Sequence, residues 1–586
     1  MGVSMLYHQG VKKKIVPRPK SKKKSHLTNL SPMLHRIFSA RGIIDNEQLD
    51  RSLANLPSPW LLSGMEEMVG HLMLAIEQQQ KITIVADFDA DGATSCVVGI
   101  KGLALLGLNN VSYVVPNRFE YGYGLTPEIV EQVKKHKPDL IITVDNGISS
   151  LEGVQAAKAA NIKVLITDHH LPGEQLPAAD AIVNPNLPGD EFPSGNIAGV
   201  GVIFYVLLAL RSRLRERQWF EKHNRQQPNL AQLLDFVALG TIADVVVLDQ
   251  VNRILVHQGI LRIRSAKAHP GIQALIAQAG KQFSSINSAD LGFALGPRLN
   301  AAGRMDDMSL GIQCLLTEDA GLAKEMAEQL DELNQDRKAV EAQMKHEAMS
   351  LLDSMHMLDE HHLPAGVCLF EKEWHQGVIG ILASRIKDRL HRPVVAFASA
   401  DKGDIKGSAR SIPGVHIRDV LSEIAVAHPQ ILSKFGGHAM AAGMSIKMHD
   451  YPVFALAFDE VVARHLDSVD LEQKIFSDGQ LSENEMSLEF SEQLKNAGTW
   501  GQGFPEPVFD GVFDVIQCRI VGQQHLKFVL RLPQCELLID AIAFFVERPE
   551  QWLGTRSIMA AYKLDINEYR GNRSVQLMLQ YIEKKI

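Results

Sequence analysis

Short, uninterrupted apolar runs recur in the first third of the chain. They are Ile82-Thr83-Ile84-Val85, residues 139–144 (Asp-Leu-Ile-Ile-Thr-Val) and residues 162–167 (Ile-Lys-Val-Leu-Ile-Thr). Runs of this length, rich in β-branched residues, predict strands buried on both faces. Segments 93–106, 125–137 and 149–160 have helical length, and 111–115 reads as one more strand. Strand and helix therefore alternate from Lys81 to about residue 214, the pattern of a parallel sheet with helices on both faces. Residues 30–78 read as short helices leading into the first strand. A loop rich in proline and glycine at 184–196 precedes an apolar helix beginning near Ala198. Residues 230–247 read as a helix running into Gly240-Thr241-Ile242-Ala243-Asp244.

The period then changes. Between 322 and 352, Met326, Leu330, Leu333, Val340 and Met344 recur at roughly helical spacing opposite a charged face. One long helix, a strut between lobes, is expected there. A second α/β unit follows Leu363-Pro364-Ala365-Gly366, with strands at 367–370 and 393–397 around a helix at 377–390. From about Lys474, alternating runs such as 526–532 and 574–579, broken by turns such as 567–572, predict a small β-barrel, most simply an OB-fold. The expected fold class is α/β: two α/β lobes joined by a long helix, plus a C-terminal OB-like β-barrel. The expected boundaries are a basic, disordered tail with a short helical lead-in (1–47), the first α/β domain (48–265), a helical connector (266–355), the second α/β domain (356–466) and the barrel (467–586).

Composition narrows the class. A chain of 586 residues exceeds one hydrophobic core, so several domains are expected. Apolar content of 46% and charged content of 22% are ordinary for a globular protein. No apolar run reaches the roughly 18 residues a membrane span needs. The N-terminus lacks a signal-peptide core. It carries Lys12, Lys13, Lys14, Arg18, Lys20, Lys22, Lys23 and Lys24 without an acid between them, which reads as a solvated charge run. Cys96, Cys314, Cys368, Cys518 and Cys535 show no CxxC spacing, which argues against a disulfide framework or structural zinc and fits a reducing cytoplasm. A net charge of −8 disfavours attraction of nucleic acid to the whole surface but leaves room for a local basic channel.

Chemistry collects at the strand ends. Asp87-Phe88-Asp89-Ala90-Asp91-Gly92 follows the first run, Asp145-Asn146-Gly147 the second and Asp168-His169-His170 the third. Alone, the first string is an acidic loop with a helix cap. In a parallel sheet such ends lie side by side, where open α/β folds place ligands, and three together read as a metal site. Asp244 ends another apolar stretch, although a plain helix cap would look the same. Asp87, Asp89, Asp145, His169 and Asp244 suffice for two cations, with Asp145 as the natural bridge. Carboxylate and imidazole without thiolate suit manganese or magnesium. Two such ions favour hydrolysis of a phosphoester or phosphoanhydride. His170, because it neighbours a ligand, reads as a phosphate contact rather than, more plainly, as a histidine supporting the ligands or filling the core. Donors for phosphate stand at Asn117-Arg118, in Tyr121-Gly122-Tyr123-Gly124, and in the glycine-bounded loop Gly296-Pro297-Arg298-Leu299-Asn300-Ala301-Ala302-Gly303-Arg304. Arg410 between small residues and the turn Gly436-Gly437-His438 form a third cluster. Each alone is more often a salt-bridge partner or a tight turn; neighbouring small residues, which let a ligand approach, raise them.

These motifs, in this order, resemble the DHH phosphoesterase superfamily. Gly407-Ser408-Ala409-Arg410-Ser411 and Gly436-Gly437-His438 resemble its DHHA1 domain. The 296–304 segment, Glu373-Trp374-His375-Gln376-Gly377 and the barrel narrow the resemblance to the RecJ family of bacterial single-strand-specific 5′→3′ DNA exonucleases. The resemblance implies a DHH lobe, a DHHA1 lobe and an OB-fold, with metal ligands Asp87, Asp89, Asp145, His169 and Asp244 and two Mn2+ or Mg2+ ions per site. It implies catalytic roles for Asp145, Asp168 and His170, with His170 at the scissile phosphate. It places Asn117, Arg118, Tyr123, Arg298, Asn300, Arg304, His375, Ser408, Arg410, Gly436, Gly437 and His438 around substrate, including its terminal 5′ phosphate. Phe88 stands where the family often has tyrosine and is not expected to be a ligand.

The implied reaction is two-metal hydrolysis that releases 5′-mononucleotides, in DNA recombination and repair. A cleft between the lobes would exclude duplex, and the barrel would grip the strand through stacking and through Lys527, Arg531, Arg570 and Arg573. Implied partners are single-stranded DNA, a single-strand DNA-binding protein and a RecQ-type helicase, with no membrane, for a cytoplasmic monomer. One alternative is a phosphoesterase of the same superfamily acting on short oligonucleotides or cyclic dinucleotides; the barrel and chain length count against it. The other is a non-catalytic single-strand-binding scaffold, disfavoured because every expected ligand is present.

Overall fold

The computed structural model describes residues 13–21, 23–117, 124–354, 364–400, 403–432, 434–466, 472–569 and 571–585. They form two compact units. The first gathers 21–334 together with 496–506; the second contains 13–20, 335–495 and 507–585. No helix among the described residues is long and apolar enough to cross a membrane.

The first unit is built on a five-stranded parallel sheet. Its order is Val111–Val114, Ile82–Ala86, Leu140–Val144, Lys163–Thr167 and Ala181–Val183. The Ile82–Ala86 and Leu140–Val144 strands are buried along their whole length, which is why they read as unbroken apolar runs. The three-residue edge strand Ala181–Val183 was not anticipated, being too short to show a pattern. Register positions the site. Ala86 pairs with Val144 and Val144 with Thr167, so the next residue of each strand, Asp87, Asp145 and Asp168, emerges in one row. Helix Ala90–Leu105 packs against helices Gly199–Glu216 and Leu234–Ala243. Gly102 allows one approach, since a Cβ there would meet Leu207 Cδ1 at 2.2 Å.

Two expectations need correction. Residues 296–304 are not a loop but helix Gly296–Met305, entered through a π-helical turn at Leu291–Leu295. Pro297 sits in its first turn, where a missing N–H is harmless, and Leu299, Ala301 and Ala302 are buried. Its glycines serve close approach rather than a bend. A Cβ on Gly303 would lie 1.8 Å from the Phe88 carbonyl oxygen. Nor is the basic lead-in wholly a disordered tail. Lys13–Pro17 is a strand pairing in parallel with Gln473–Ser477 in the second unit, and Arg18 Nε reaches Asp478 at 3.1 Å. The long helix is present as Ala320–Ser354, and the boundary between the units falls within it at Asn334.

The second unit holds a five-stranded sheet in the order Lys434–Gly437, Ala441–Lys447, Asp404–Arg410, Val394–Ser399 and Val367–Phe370. Only the last two strands pair in parallel. It also holds a closed barrel, Phe509–Val521, His525–Arg531, Leu538–Ala543, Asn572–Lys584 and Ser557–Tyr569, with one parallel pair.

Candidate metal centre

Each acid of the site is fixed differently. Asp89 caps helix Ala90–Leu105, its Oδ1 accepting from Asp91 N and Gly92 N at 2.9 and 3.0 Å. A cap is therefore part of its work. Gly92 has no substitute here, because a Cβ would lie 2.4 Å from the Asp87 carbonyl oxygen. Asp145 has a φ of +60°, a left-handed conformation that costs a non-glycine residue about 1–3 kcal/mol and persists where surroundings over-determine it. The surroundings do so. Asp145 N donates to Thr167 at 3.0 Å, Asn146 ties Val85 and Val144 carbonyls at 3.0 and 2.8 Å, and Gly199 leaves room for the Asp145 side chain.

Asp168 does not point at the cluster as a ligand would. Its Oδ1 accepts from His169 N, His170 N and bonds His170 Nδ1 at 2.7, 3.0 and 2.7 Å, and its Oδ2 accepts from Ile148 N at 2.9 Å. It shapes the turn that presents both imidazoles. His169 Nε2 lies 3.1 Å from Asp145 Oδ1 and 3.5 Å from Asp244 Oδ2. Asp244 reaches the group as the residue closing helix Leu234–Ala243. Ligand atoms of Asp87, Asp89 and Asp145, of Asp145, His169 and His170, and of Asp91, His169 and Asp244 each fall within 4.8 Å of one another.

Electrostatics say what this arrangement suits. Burial, then the charges of Asp91, Asp89, Asp87 and Asp244, push the Asp145 carboxyl well above the ordinary range. Burial, then the charges of Asp91, Asp89 and Asp87, raise Asp244. Burial and Asp89 raise Asp91 to about 7, although amides of Val200 and Gly199 oppose this. Burial disfavours a charged His170, but Asp168, Asp87 and Asp89 outweigh it and raise its pKa to about 9. Burial of Asp168 is outweighed by the hydrogen bond and charge of His170, which hold it below the usual value. Crowded, buried carboxylates with one imidazole and no thiolate are a donor set for hard divalent cations, and the residues fit Mn2+ or Mg2+.

Three side chains here escaped the sequence reading. Asp91 is buried and accepts from Gly199 N and Val200 N at 2.7 and 2.9 Å, anchoring the start of helix Gly199–Glu216 beside Asp145. Asn184 and Asn186 donate to the His170 and His169 carbonyls at 2.9 and 2.6 Å. The repeated asparagine in Asn184-Pro185-Asn186, just past a strand, was the available signal.

Among the expected substrate contacts, Asn300 Oδ1 accepts from Ala90 N at 2.8 Å and so braces the acidic loop. Arg298 is held by Asp331 at 2.8 Å and the Ala294 carbonyl at 2.6 Å. Arg304 is half-buried in the last turn of the same helix, and Asn117 half-buried past the Val111–Val114 strand. Arg118 and Tyr123 lie outside the described residues.

The remaining contacts belong to the second unit. There Ala396, Ser408, Gly443 and Gly436 pair into one row across the sheet. Arg410 Nη1 donates to Ser408 Oγ at 3.0 Å, and burial lowers its pKa. A Cβ on Gly380 would lie 2.9 Å from Arg410 Nη2, so the start of helix Ile379–Leu390 closes over it. His375 precedes that helix, its Nδ1 accepting from Gly377 N at 3.1 Å, while His438 N donates to Ala441 O at 2.8 Å and Gly437 pairs with Ala442.

Known proteins share this architecture. The DHH family, N-terminal domain, matches residues 81–241, the DHHA1 domain 364–464 and the RecJ OB domain 477–581. A single-stranded-DNA-specific exonuclease RecJ of Salmonella typhimurium is 51% identical over 558 residues, 94% of this chain and 96% of that protein. The chain belongs to the RecJ family. The Escherichia coli RecJ is 50% identical over 94% of this chain and 96% of its own length. The crystal structure of RecJ in complex with Mn2+ from Thermus thermophilus superposes with a TM-score of 0.78 at 27% identity, covering 96% of this chain and 80% of that one. As a RecJ-family member the chain carries all three matched domains, including the barrel that a minimal DHH/DHHA1 phosphoesterase would not need.

Proposed function

We propose that this chain is a metal-dependent single-stranded-DNA exonuclease that works from the 5′ end and releases 5′-mononucleotides. The observation carrying this reading is the convergence of Asp87, Asp89, Asp145, His169 and Asp244 at the carboxyl ends of the parallel strands. These five would hold two divalent ions. The chemistry such ions would supply is polarisation of water and an offset to the charge on phosphate oxygens. Asp168 orients His170 through the bond to Nδ1, and its carboxylate favours the charged imidazole, which would face a phosphate beside the acids. Asn300 and Gly303 keep the acidic loop in place from helix Gly296–Met305. In the second unit, Arg410 with Ser408 and the open glycine row would take a 5′-terminal phosphate, guanidinium being suited to that group. The barrel binds the strand farther along. A single-strand DNA-binding protein and a RecQ-type helicase as partners, for a cytoplasmic monomer, follow from the family likeness.

Single-stranded DNA labelled separately at each end, with Mn2+ or Mg2+ and a chelator control, tests this. Immediate release of the 5′ label as mononucleotide, with duplex spared, is expected. First release of the 3′ label would overturn the polarity, and cleavage of only the shortest oligomers would overturn the substrate.

A further inference from the structure

Asp244 is not held as the other acids are. Asp87 and Asp145 stand on strand ends that the sheet fixes, whereas Asp244 closes a helix. The next residue, Val245, has a φ of +62° and is 63% exposed. A β-branched residue in the left-handed region is a genuine outlier, and its own packing does not explain it. The strand of chain that follows, however, is clamped by a turn from far along the sequence, Trp500-Gly501-Gln502-Gly503-Phe504, within the same compact unit.

The Gln502 carbonyl accepts from Leu248 N at 2.8 Å. A Cβ on Gly501 would lie 2.6 Å from Leu248 Cδ1, and one on Gly503 2.6 Å from Val247 Cγ1. The two glycines therefore let the turn press flat on residues 247 and 248. The turn is itself rigid. Gly501 and Phe504 exchange backbone hydrogen bonds of 3.0 and 3.1 Å, and the Trp500 and Phe504 rings stack 5.2 Å apart. Phe38 stacks on both, and Ser288 donates to the Trp500 carbonyl at 2.6 Å. Arg253 lies 4.5 Å over Phe504 and donates to the Leu248 carbonyl at 3.0 Å. From the other side, Asn252 ties the Val247 and Asn196 carbonyls at 2.9 and 2.7 Å.

We propose that the 500–504 turn is a positioning device for Asp244: by pinning residues 247 and 248 it keeps Val245 in its strained conformation and the Asp244 carboxylate in the metal centre. The inference rests on the reading of Asp244 as a ligand. A turn that served stability alone would leave metal affinity unchanged in a folded variant. A positioning turn sets the affinity of the ion that Asp244 serves.

The test is Mn2+ titration of the full chain, followed by the electron paramagnetic resonance of free Mn2+, with thermal melting as the check on folding. Trp500→Ala and Gly503→Ala should weaken one bound Mn2+ by about 10–100-fold, the usual effect of losing a residue that orients a ligand. Trp500→Phe keeps the ring stack and should largely restore binding. The Mn2+ concentration for half-maximal activity should rise in step, while kcat at saturating Mn2+ stays near that of the unaltered chain. If Trp500→Ala does not fold, Gly501→Ala, whose added methyl meets only the flexible end of Leu248, decides. Folded variants of the turn that bind Mn2+ normally, beside an Asp244→Asn chain that loses an ion, would overturn the positioning role. Normal binding by Asp244→Asn would overturn the ligand reading instead, and this inference with it.

Discussion

The metal centre and the barrel are both densely charged, and they are built on opposite rules. In the centre, burial and then the charges of neighbouring acids raise the pKa of Asp91, Asp145 and Asp244, with the His169 imidazole between Asp145 and Asp244. On the barrel, Lys527, Arg531 and Arg573, three of the cations expected to grip DNA, each stand beside an acid, and Arg570 lies outside the described residues. Lys527 lies 3.1 Å from Asp540, Arg531 3.2 Å from Asp514, and Arg573 2.7 and 3.0 Å from Glu492 and Glu568. Buried like charges are costly unless something bound offsets them, whereas exposed pairs contribute little either way. Imbalance, rather than charge density, marks the reactive site. Residues that break local rules without compensation inside the chain are where function is expected.

Asp145→Asn breaks the imbalance most directly. Activity should fall by about a hundred- to a thousand-fold, the loss of a central electrostatic group, while DNA binding largely persists. Without metal, the same change should raise the melting temperature, because it removes a carboxylate that burial and four neighbouring acids disfavour. A chelated variant that melts lower than the unaltered chain would mean the crowding is not a strain at all.

Arg410 offers an intermediate case, a cation on a sheet rather than a carboxylate at a strand end, with burial working against its charge. Arg410→Lys loses the planar fork and the bond to Ser408. Cleavage of 5′-phosphorylated ends should drop by about ten- to a hundred-fold, as expected for one charged hydrogen bond, and that of 5′-hydroxyl ends much less. Equal losses on both ends would place Arg410 away from the terminal phosphate.

A pH series on chelated protein sharpens the contrast further. Carboxyls raised in the folded state bind more protons folded than unfolded, so stability falls as pH rises from the unfolded value, about 4, toward the folded one. Asp91 loses its proton through this window at about 7, and Asp145 and Asp244 act in the same direction. The chelated chain should melt several degrees higher near pH 5 than near pH 7. Saturating Mn2+ should flatten or reverse that trend. An unchanged trend with metal would remove these carboxyls from the ion's shell.

Much of this was legible in the sequence because the information is local. Strands buried on both faces read as unbroken apolar runs, and each carried its acid at the same end, so the row of Asp87, Asp145 and Asp168 could be expected before register was known. What stayed hidden depends on distant partners. Asp91 looked like one more acid of a string, but its partners are amides 108 and 109 positions away. Lys13–Pro17 looked like a solvated tail because its pairing strand begins at Gln473. Segment 296–304 looked like a loop because its glycines suggest bending, whereas Gly303 is there to admit the Phe88 carbonyl. The strain at Val245 has no sequence signal, since the turn that holds it lies some 250 positions on.

The smallest effect tests the balanced side of the comparison. If Lys527 is already neutralised by Asp540, it releases few counterions on meeting DNA, and Lys527→Ala should weaken single-strand binding only a few-fold, with a change in the slope of log affinity against log salt of less than about one. Asp540→Asn is then the more telling change. It removes no contact to DNA, yet it frees the ammonium and reduces repulsion of phosphate, so binding should tighten and the salt slope should steepen by up to about 0.7, the value for one single-strand phosphate contact. Tighter binding in Asp540→Asn that disappears in the double variant with Lys527→Ala would show that the pair restrains the barrel's grip, a device for letting product and strand move on. No change in either variant would place the strand on another face of the barrel, and the pairing of Lys527 with Asp540 would then be an ordinary surface salt bridge.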